Sequence, residues 1–329
     1  MKNDAYFKIK KITKISDLES QKVSRIPESD LSIQTDNSII QLEHVESSDD
    51  KCKIIIKPGC YSILNSSSGA DLSKTILKKY KLLESVDNTT QILSEANKFF
   101  SKLDIYKKIG RDPKRAILIA SPPGVGKIAA INKVCERLLE DKGTAVIIWD
   151  TSSVRSSTVN NLFLNMAIFS KNLKKLILVI EDIGGGSTDD YDGPRGADSA
   201  LLNLLDGMGN PFLSIPTLII STTNNPEQSV EALIDRPGRF DKVIQLSTPN
   251  EEESIKLLEF ISKRKLDIED IEAAKLAAKD GFSIAHLQEI VVRSMLDDVS
   301  FLKAAKQLSA HKKKFKNAFQ NVRSVGLKK

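Results

Sequence analysis

The sequence predicts an α/β fold: a parallel sheet flanked by helices, with a small all-α domain after it and a small β-rich domain before it. Three observations carry this. Apolar runs at residues 116–120, 145–149, 176–180 and 218–221 alternate with helix-spaced segments, as strands covered on both faces do. After Leu246 the strand pattern stops and helical spacing runs on through the tail. Before about residue 85, short apolar stretches are cut by polar turns such as Ser47-Ser48-Asp49-Asp50 and Pro58-Gly59.

Taken in order, residues 1–85 are expected to form an accessory domain for a substrate or partner. Its strand candidates are 9–15, 39–42, 53–56 and 61–64, and Asn65-Ser66-Ser67-Ser68-Gly69 marks a loop or linker. Ile92, Ala96, Phe99, Phe100 and Leu103 follow helical spacing and open a larger domain, expected over 86–247. Within it the strand at 116–120 leads through a turn into a helix at 128–139. A strand at 145–149, a helix near 159–169, the strand at 176–180 and a helix at 197–205 follow. Strands at 218–221 and 243–246 complete the pattern. Thr248-Pro249-Asn250-Glu251 reads as a capping box with proline at the first helical position, opening an α-helical domain over 248–300. A basic tail, 301–329, closes the chain.

The 329 residues suit about two domains at roughly 100–200 residues each. Hydrophobic residues make up 40% and charged residues 28%, the balance of a globular chain and not of a disordered one. No apolar run approaches the ~20 residues of a membrane span, and the lysine-rich start lacks the apolar core of a signal peptide. Three scattered cysteines (Cys52, Cys60, Cys135) and three scattered histidines form no disulfide or zinc pattern, which fits a reducing cytoplasm. The net charge of +6 is unevenly placed: residues 299–329 hold nine Lys/Arg and no acid, so the rest of the chain is slightly acidic.

The turn after the first buried strand reads Ser121-Pro122-Pro123-Gly124-Val125-Gly126-Lys127-Ile128-Ala129. Strand, glycine loop, lysine, helix is the context of a phosphate-binding loop, or Walker A motif. Gly124 and Gly126 let backbone N–H groups turn inward, the helix N-terminus adds positive potential, and Lys127 reaches the β- and γ-phosphates. Pro123, Gly124, Val125, Gly126, Lys127, Ile128 and Ala129 are the candidate nucleotide contacts. Two positions depart from the pattern. Ser121 replaces the first glycine, and Ile128 replaces the Ser/Thr whose hydroxyl ligates Mg²⁺. Three explanations of Ile128 stand open: a weak or inactive nucleotide subunit, a metal held through waters and carboxylates, or a Thr→Ile replacement.

Five apolar residues, 176–180, end in Glu181-Asp182, the Walker B arrangement of acids at the end of a central strand. By position Glu181 is the metal-side acid, holding Mg²⁺ directly or through water, and Asp182 the base for the attacking water; both are candidate Mg²⁺ residues. The strand at 218–221 ends in Thr222-Thr223-Asn224, from which Asn224 can reach a γ-phosphate or the lytic water. Arg236-Pro237-Gly238-Arg239 places two guanidinium forks around a rigid turn, suited to phosphate in a transition state or to pairing with Asp235 or Asp241.

In order, these motifs resemble the AAA ATPases of the AAA+ superfamily, over about residues 80–300. Leu201-Leu202-Asn203-Leu204-Leu205-Asp206-Gly207 resembles the helix between Walker B and sensor 1, and Gly281-Phe282-Ser283 the lid turn near the adenine. The segment around Phe99-Phe100-Ser101-Lys102 and Tyr106-Lys107-Lys108-Ile109-Gly110, with the Glu-Asp order, is most similar to the branch of the mitochondrial Rieske-protein translocase. The resemblance implies a P-loop NTPase sheet with an α-helical lid. It also implies ATP and Mg²⁺ as cofactors, and a homo-oligomeric ring, usually a hexamer, with ATP between subunits. Asn224 would be sensor 1, and Arg236 and Arg239 fingers reaching the neighbour's γ-phosphate. A related AAA subunit is a further possible partner.

The sequence departs from the family at three places. Residues 150–157, where unfoldases carry an aromatic pore loop, hold no aromatic. Ile284 stands where the lid often has glycine, and no sensor 2 arginine is evident. Residues 184–196, rich in glycine and acids, read equally as a second pore loop or as a solvated insertion. The expected function is a ring-forming ATPase that remodels a protein or nucleoprotein substrate. The alternatives are a hydrolysis-deficient ring subunit or scaffold and a nucleic-acid-associated motor or loader. For the tail, Phe301, Ala305, Leu308, Phe315, Phe319 and Val322 form an apolar helical stripe. It suits docking on the lid or a neighbour; its lysines suit nucleic acid, an acidic partner or a membrane surface.

Overall fold

The computed structural model describes residues 57–66, 69–83, 88–154, 158–159, 173–183, 205, 215–224 and 239–326. The strand candidates before residue 57, the helices at 159–169 and 197–205 except Val159 and Leu205, Arg236 and the glycine-rich segment 184–196 lie outside them. The chain forms two compact units. One holds Thr89–Ala120 and Ile131–Ile244 with the residues up to Lys79; the other holds Tyr80–Asn88, Ser121–Ala130 and Gln245–Lys329.

The first unit is built on a seven-stranded sheet. Its strands are β1 (Gly59–Ser66), β2 (Gly69–Lys74), β3 (Lys114–Ala120), β4 (Thr144–Asp150), β5 (Lys175–Glu181), β6 (Thr217–Thr223) and β7 (Lys242–Gln245), in the order β2-β1-β4-β5-β6-β3-β7. β1, β4, β5, β6 and β3 are mutually parallel, and β2 is antiparallel to β1. β6 is buried at every position, and β3, β4 and β5 over most of theirs, as their unbroken apolar runs require. Trp149, Leu118, Ile147, Leu178, Ile180 and Ile219 lie in the core of this unit. Helices α1 (Thr89–Ser101), α2 (Leu103–Lys108) and α3 (Lys127–Leu139) accompany the strands.

The expected boundary near residue 85 does not fall there. β1 and β2 extend the main sheet, with Ile63 buried at 2% exposure and Cys60 at 7%. β4 would otherwise end the sheet as an open edge, and β1 pairs with it in parallel. Asn65 and Ser66 end β1 and Ser66 pairs with Gly69 at the start of β2, so these positions belong to the sheet and not to an interdomain linker.

The second unit contains helices α4 (Glu251–Ser262), α5 (Ile268–Lys279), α6 (Ile284–Asp297) and α7 (Phe301–Gly326). Leu258, Ala274, Phe282, Leu287, Ile290, Phe301 and Ala305 make its core. The capping box of α4 lies two residues later than the sequence reading put it. Asn250 is the cap: its side chain accepts from Glu253 N–H at 2.9 Å, and Glu253 accepts from Asn250 N–H at 2.9 Å. Pro249 precedes the cap instead of opening the helix. Arg264 forks onto the buried carboxylate of Asp270, at 2.5 and 3.1 Å, and lies over the Phe301 ring at 4.5 Å. The boundary expected at 301 is also absent, because Phe301, Ala304, Ala305 and Leu308 of α7 belong to this same core. The first two turns of the tail therefore belong to the second unit's core; the side chains of Phe315, Phe319 and Val322 lie outside those described.

Candidate nucleotide site

Within the first unit, sheet register gathers the candidate acids. Ala120 pairs with Thr223, Ile180 with Ser221, and Asp150 with Glu181, so the C-terminal ends of β3, β6, β5 and β4 share one edge. That edge is where open parallel sheets receive ligands. Asp182, just past β5, takes φ +56°, a left-handed conformation that costs an L-residue about 1 kcal/mol. Four contacts to the backbone of residues 181–183 hold it there, and a fifth reaches its side chain. Thr222 Oγ1 accepts from Asp182 N–H at 2.9 Å, and Thr222 O accepts from Ile183 N–H at 2.7 Å. Thr151 Oγ1 lies 2.9 Å from Asp182 O and 3.0 Å from Glu181 O. Asn224 Nδ2 donates to Asp182 Oδ1 at 2.7 Å.

Glu181 is electrostatically unlike Asp182. Burial first, then the carboxylates of Asp150 and Asp182, push its acid group above the ordinary value. Three acids gathered at a strand edge favour proton uptake or a bound cation. Among the described residues no group of three His, Cys, Asp or Glu forms a ready cage for a metal. Mg²⁺ holds its waters tightly and takes one or two carboxylates plus phosphate oxygens, so Glu181 and Asp182 fit it through water. Thr151, Thr222 and Asp150 were not singled out from sequence as site residues. Their signal is their register: each sits at or next to the C-terminal end of a strand beside the acids.

Residues 150–154 close into a tight turn. Asp150 Oδ1 accepts from Ser152 N–H at 2.9 Å, and Trp149 Nε1 donates to Val154 O at 2.9 Å. This described part of the expected pore-loop position is therefore anchored on the sheet edge.

The phosphate loop, Ser121–Ala130, belongs to the second unit. Gly124 and Gly126 take φ +80° and +88°, values only glycine adopts at little cost. A Cβ on Gly124 would lie 2.6 Å from Ser283 Oγ, so its absence keeps room for close backbone approach. Gly124 O accepts from Ala285 N–H at 3.1 Å. Val125 and Ala129 are buried, Pro123 is exposed, and Lys127 is buried at 8% exposure. The Lys127 ammonium donates to Ser121 Oγ at 2.8 Å, Ser121 O at 3.2 Å and Pro122 O at 3.3 Å. Ser121, where the motif usually has glycine, thus contributes an acceptor for this lysine. The turned glycines, the helix start and the buried ammonium together fit a polyphosphate.

Ile128 is 45% exposed on the first turn of α3 and offers no oxygen. Arg239 is 4% exposed, so in this arrangement it is not presented for contact with another subunit. A finger role would need its side chain to turn outward. Asp241, one partner weighed for the arginines, accepts from Ala116 N–H at 2.8 Å and faces Arg115 at 3.6 Å.

The profile of the ATPase family associated with various cellular activities (AAA) matches residues 117–248. These residues are an AAA ATPase domain. The match begins in β3 and runs through both motif sets into the residues before α4. The chain is 30% identical to Protein HYPER-SENSITIVITY-RELATED 4 of Arabidopsis thaliana over 49% of its own length and 29% of that protein's. It is 27% identical to the ATP-dependent zinc metalloprotease FtsH 2 of Thermoanaerobacter sp. (strain X514), over 76% and 48% of the two chains. It is also 27% identical to the proteasome-activating nucleotidase of Methanocaldococcus jannaschii, over 64% and 52%. The chain therefore spans about half or less of the length of these relatives. Among the described residues, no helix is long and apolar enough to cross a membrane.

Proposed function

We propose that this chain is a subunit of a ring-forming ATPase that binds Mg·ATP between subunits and uses hydrolysis to remodel a protein or nucleoprotein substrate. The observation that carries it is the pairing of Asn224 with Asp182 at 2.7 Å beside the desolvated Glu181. An acid at the end of a buried strand, oriented by an amide from the next strand, is built to align a water for attack. Lys127 and the N–H groups around Gly124 and Gly126 would hold the β- and γ-phosphates. Mg²⁺, when bound, would neutralise charge on those phosphates, with Glu181 and Asp182 holding its waters. Asp182 would take the proton of the attacking water, and Asn224 would keep its carboxylate aimed. Arg236 from a neighbouring subunit would stabilise the transition state, with Arg239 bracing the same turn. Residues before 57 would serve substrate or partner, and a cytoplasmic site of action suits the composition.

A second reading, a hydrolysis-deficient nucleotide-binding subunit, is favoured by the exposed, oxygen-free Ile128. Trans catalysis has a direct test. Specific ATPase activity should rise with protein concentration in step with assembly, measured by light scattering. Activity per subunit independent of concentration across the assembly transition would sink the ring mechanism.

A further inference from the structure

The basic tail carries a connection to the phosphate loop that no motif accounts for. On α7, the Lys312 ammonium donates to Asp280 O at 2.8 Å and to Gly281 O at 2.9 Å, and it lies 5.3 Å from the centroid of the Phe282 ring. Ser309, one turn earlier, donates to the Asp280 carboxylate. Both side chains grip the turn between α5 and α6, where Gly281 takes φ +60°. That turn leads straight into the start of α6. Phe282 is fully buried and stacks on His286, with ring centroids 5.0 Å apart. Ser283 caps the helix through His286 Nδ1, at 3.2 Å from its N–H and 2.7 Å from its Oγ. Ala285 N–H then reaches Gly124 O at 3.1 Å, and a Cβ on Gly124 would meet Ser283 Oγ at 2.6 Å.

Resting on the nucleotide-binding reading above, we propose that Lys312 is a positioning residue for ATP binding. It fastens the turn of residues 280–283, and through Ser283 and Ala285 it fixes the conformation of Gly124 in the phosphate loop. An ammonium suits the task because two carbonyls and an aromatic face converge on it. A neutral side chain could not satisfy all three. Gly124, like Gly126, has the permissive backbone of glycine, so an outside contact helps the loop to select one conformation. Ordering it before the ligand arrives lowers the entropy lost on binding, which acts on affinity and not on chemistry.

The test is calorimetric titration of ATP with Mg²⁺ into the full chain and three variants, with melting followed by circular dichroism. Lys312→Ala should weaken ATP about fivefold, the equivalent of one net hydrogen bond. The turnover rate at saturating ATP should stay within about twofold, as expected when only binding is affected. Lys312→Arg, which keeps charge and two donors, should restore most of the affinity. Lys313→Ala removes a neighbouring charge and should leave it unchanged. Unchanged affinity in Lys312→Ala would overturn the proposal. So would an equal loss in Lys313→Ala, which points to tail charge alone. A loss that arginine does not restore, or one accompanied by loss of lid helicity, would overturn it as well. Failure of the parent chain to bind ATP would instead overturn the nucleotide-binding reading itself, and this inference with it.

Discussion

Asn224 Nδ2 donates to Asp182 Oδ1 at 2.7 Å, joining the ends of two neighbouring central strands at the acidic edge of the sheet. Asp182 is already held in a left-handed conformation by Thr222 and Thr151. Asn224 therefore does not hold the backbone; it selects the direction of the carboxylate. Replacing it should affect the chemical step more than the fold.

Asn224→Ala is expected to lower kcat by about 10- to 100-fold, in the range of a misaligned general base, with KM for ATP within about threefold. Steady-state kinetics at varied ATP reads this split. A raised KM at unchanged kcat would assign Asn224 to ground-state binding.

The Glu181 carboxyl sits above its ordinary pKa through burial and the fields of Asp150 and Asp182. The sign is that of a raised group: the native state binds the proton more tightly than the unfolded chain. Its stabilising contribution is full below the unfolded value and is lost as pH rises through the folded one, so ionised Glu181 costs stability at neutral pH. Glu181→Gln should raise the melting temperature at pH 7.5 by about 2 °C, the scale of a change under 1 kcal/mol in a chain of this size, while reducing turnover. Scanning calorimetry checks the first and an ATPase assay the second. A lower melting temperature would mean that the charged form is stabilised by a partner.

His286 behaves oppositely. Burial first, then the charge of Lys312, hold its imidazole below the ordinary value. The stability contributed by the neutral ring is present above the unfolded pKa of about 6.5 and is lost as pH falls through the lower folded value. Protonating Nδ1 would also remove the acceptor for Ser283 N–H. The melting temperature should fall between pH 7 and pH 5 more steeply in the parent chain than in His286→Gln. Parallel slopes would show that other groups govern this limb.

The sheet was legible because β3, β4, β5 and β6 are buried on both faces, so their apolar runs have no polar interruption. Each run lies inside the observed strand and begins one or two residues after its start, where Lys114, Thr144, Lys175 and Thr217 add polar side chains. β1 and β2 were read as a separate domain because a partly exposed hairpin looks the same in sequence whether it stands alone or covers a sheet edge. Only long-range pairing with β4 distinguishes the two. The glycine loop, the acids and Asn224 stand at strand ends and carry local signatures. Thr151 and Lys312 do not: their contacts, with Glu181 30 residues away and Gly281 31 residues away, arise from tertiary packing. The α4 cap shows the limit of pattern matching. Thr248 and Asn250 are both cap residues, and the reciprocal bond with Glu253 decides between them.

The central claim is that this site turns over ATP and that Ile128, exposed where the metal-binding hydroxyl would stand, limits it. The most direct measurement is Mg²⁺-dependent ATP hydrolysis by the parent chain and Ile128→Thr at matched assembly state. Supplying the hydroxyl should raise kcat at least about tenfold, or about 1.4 kcal/mol in the barrier. Equal rates in the two proteins, with ATP bound by both, would contradict it.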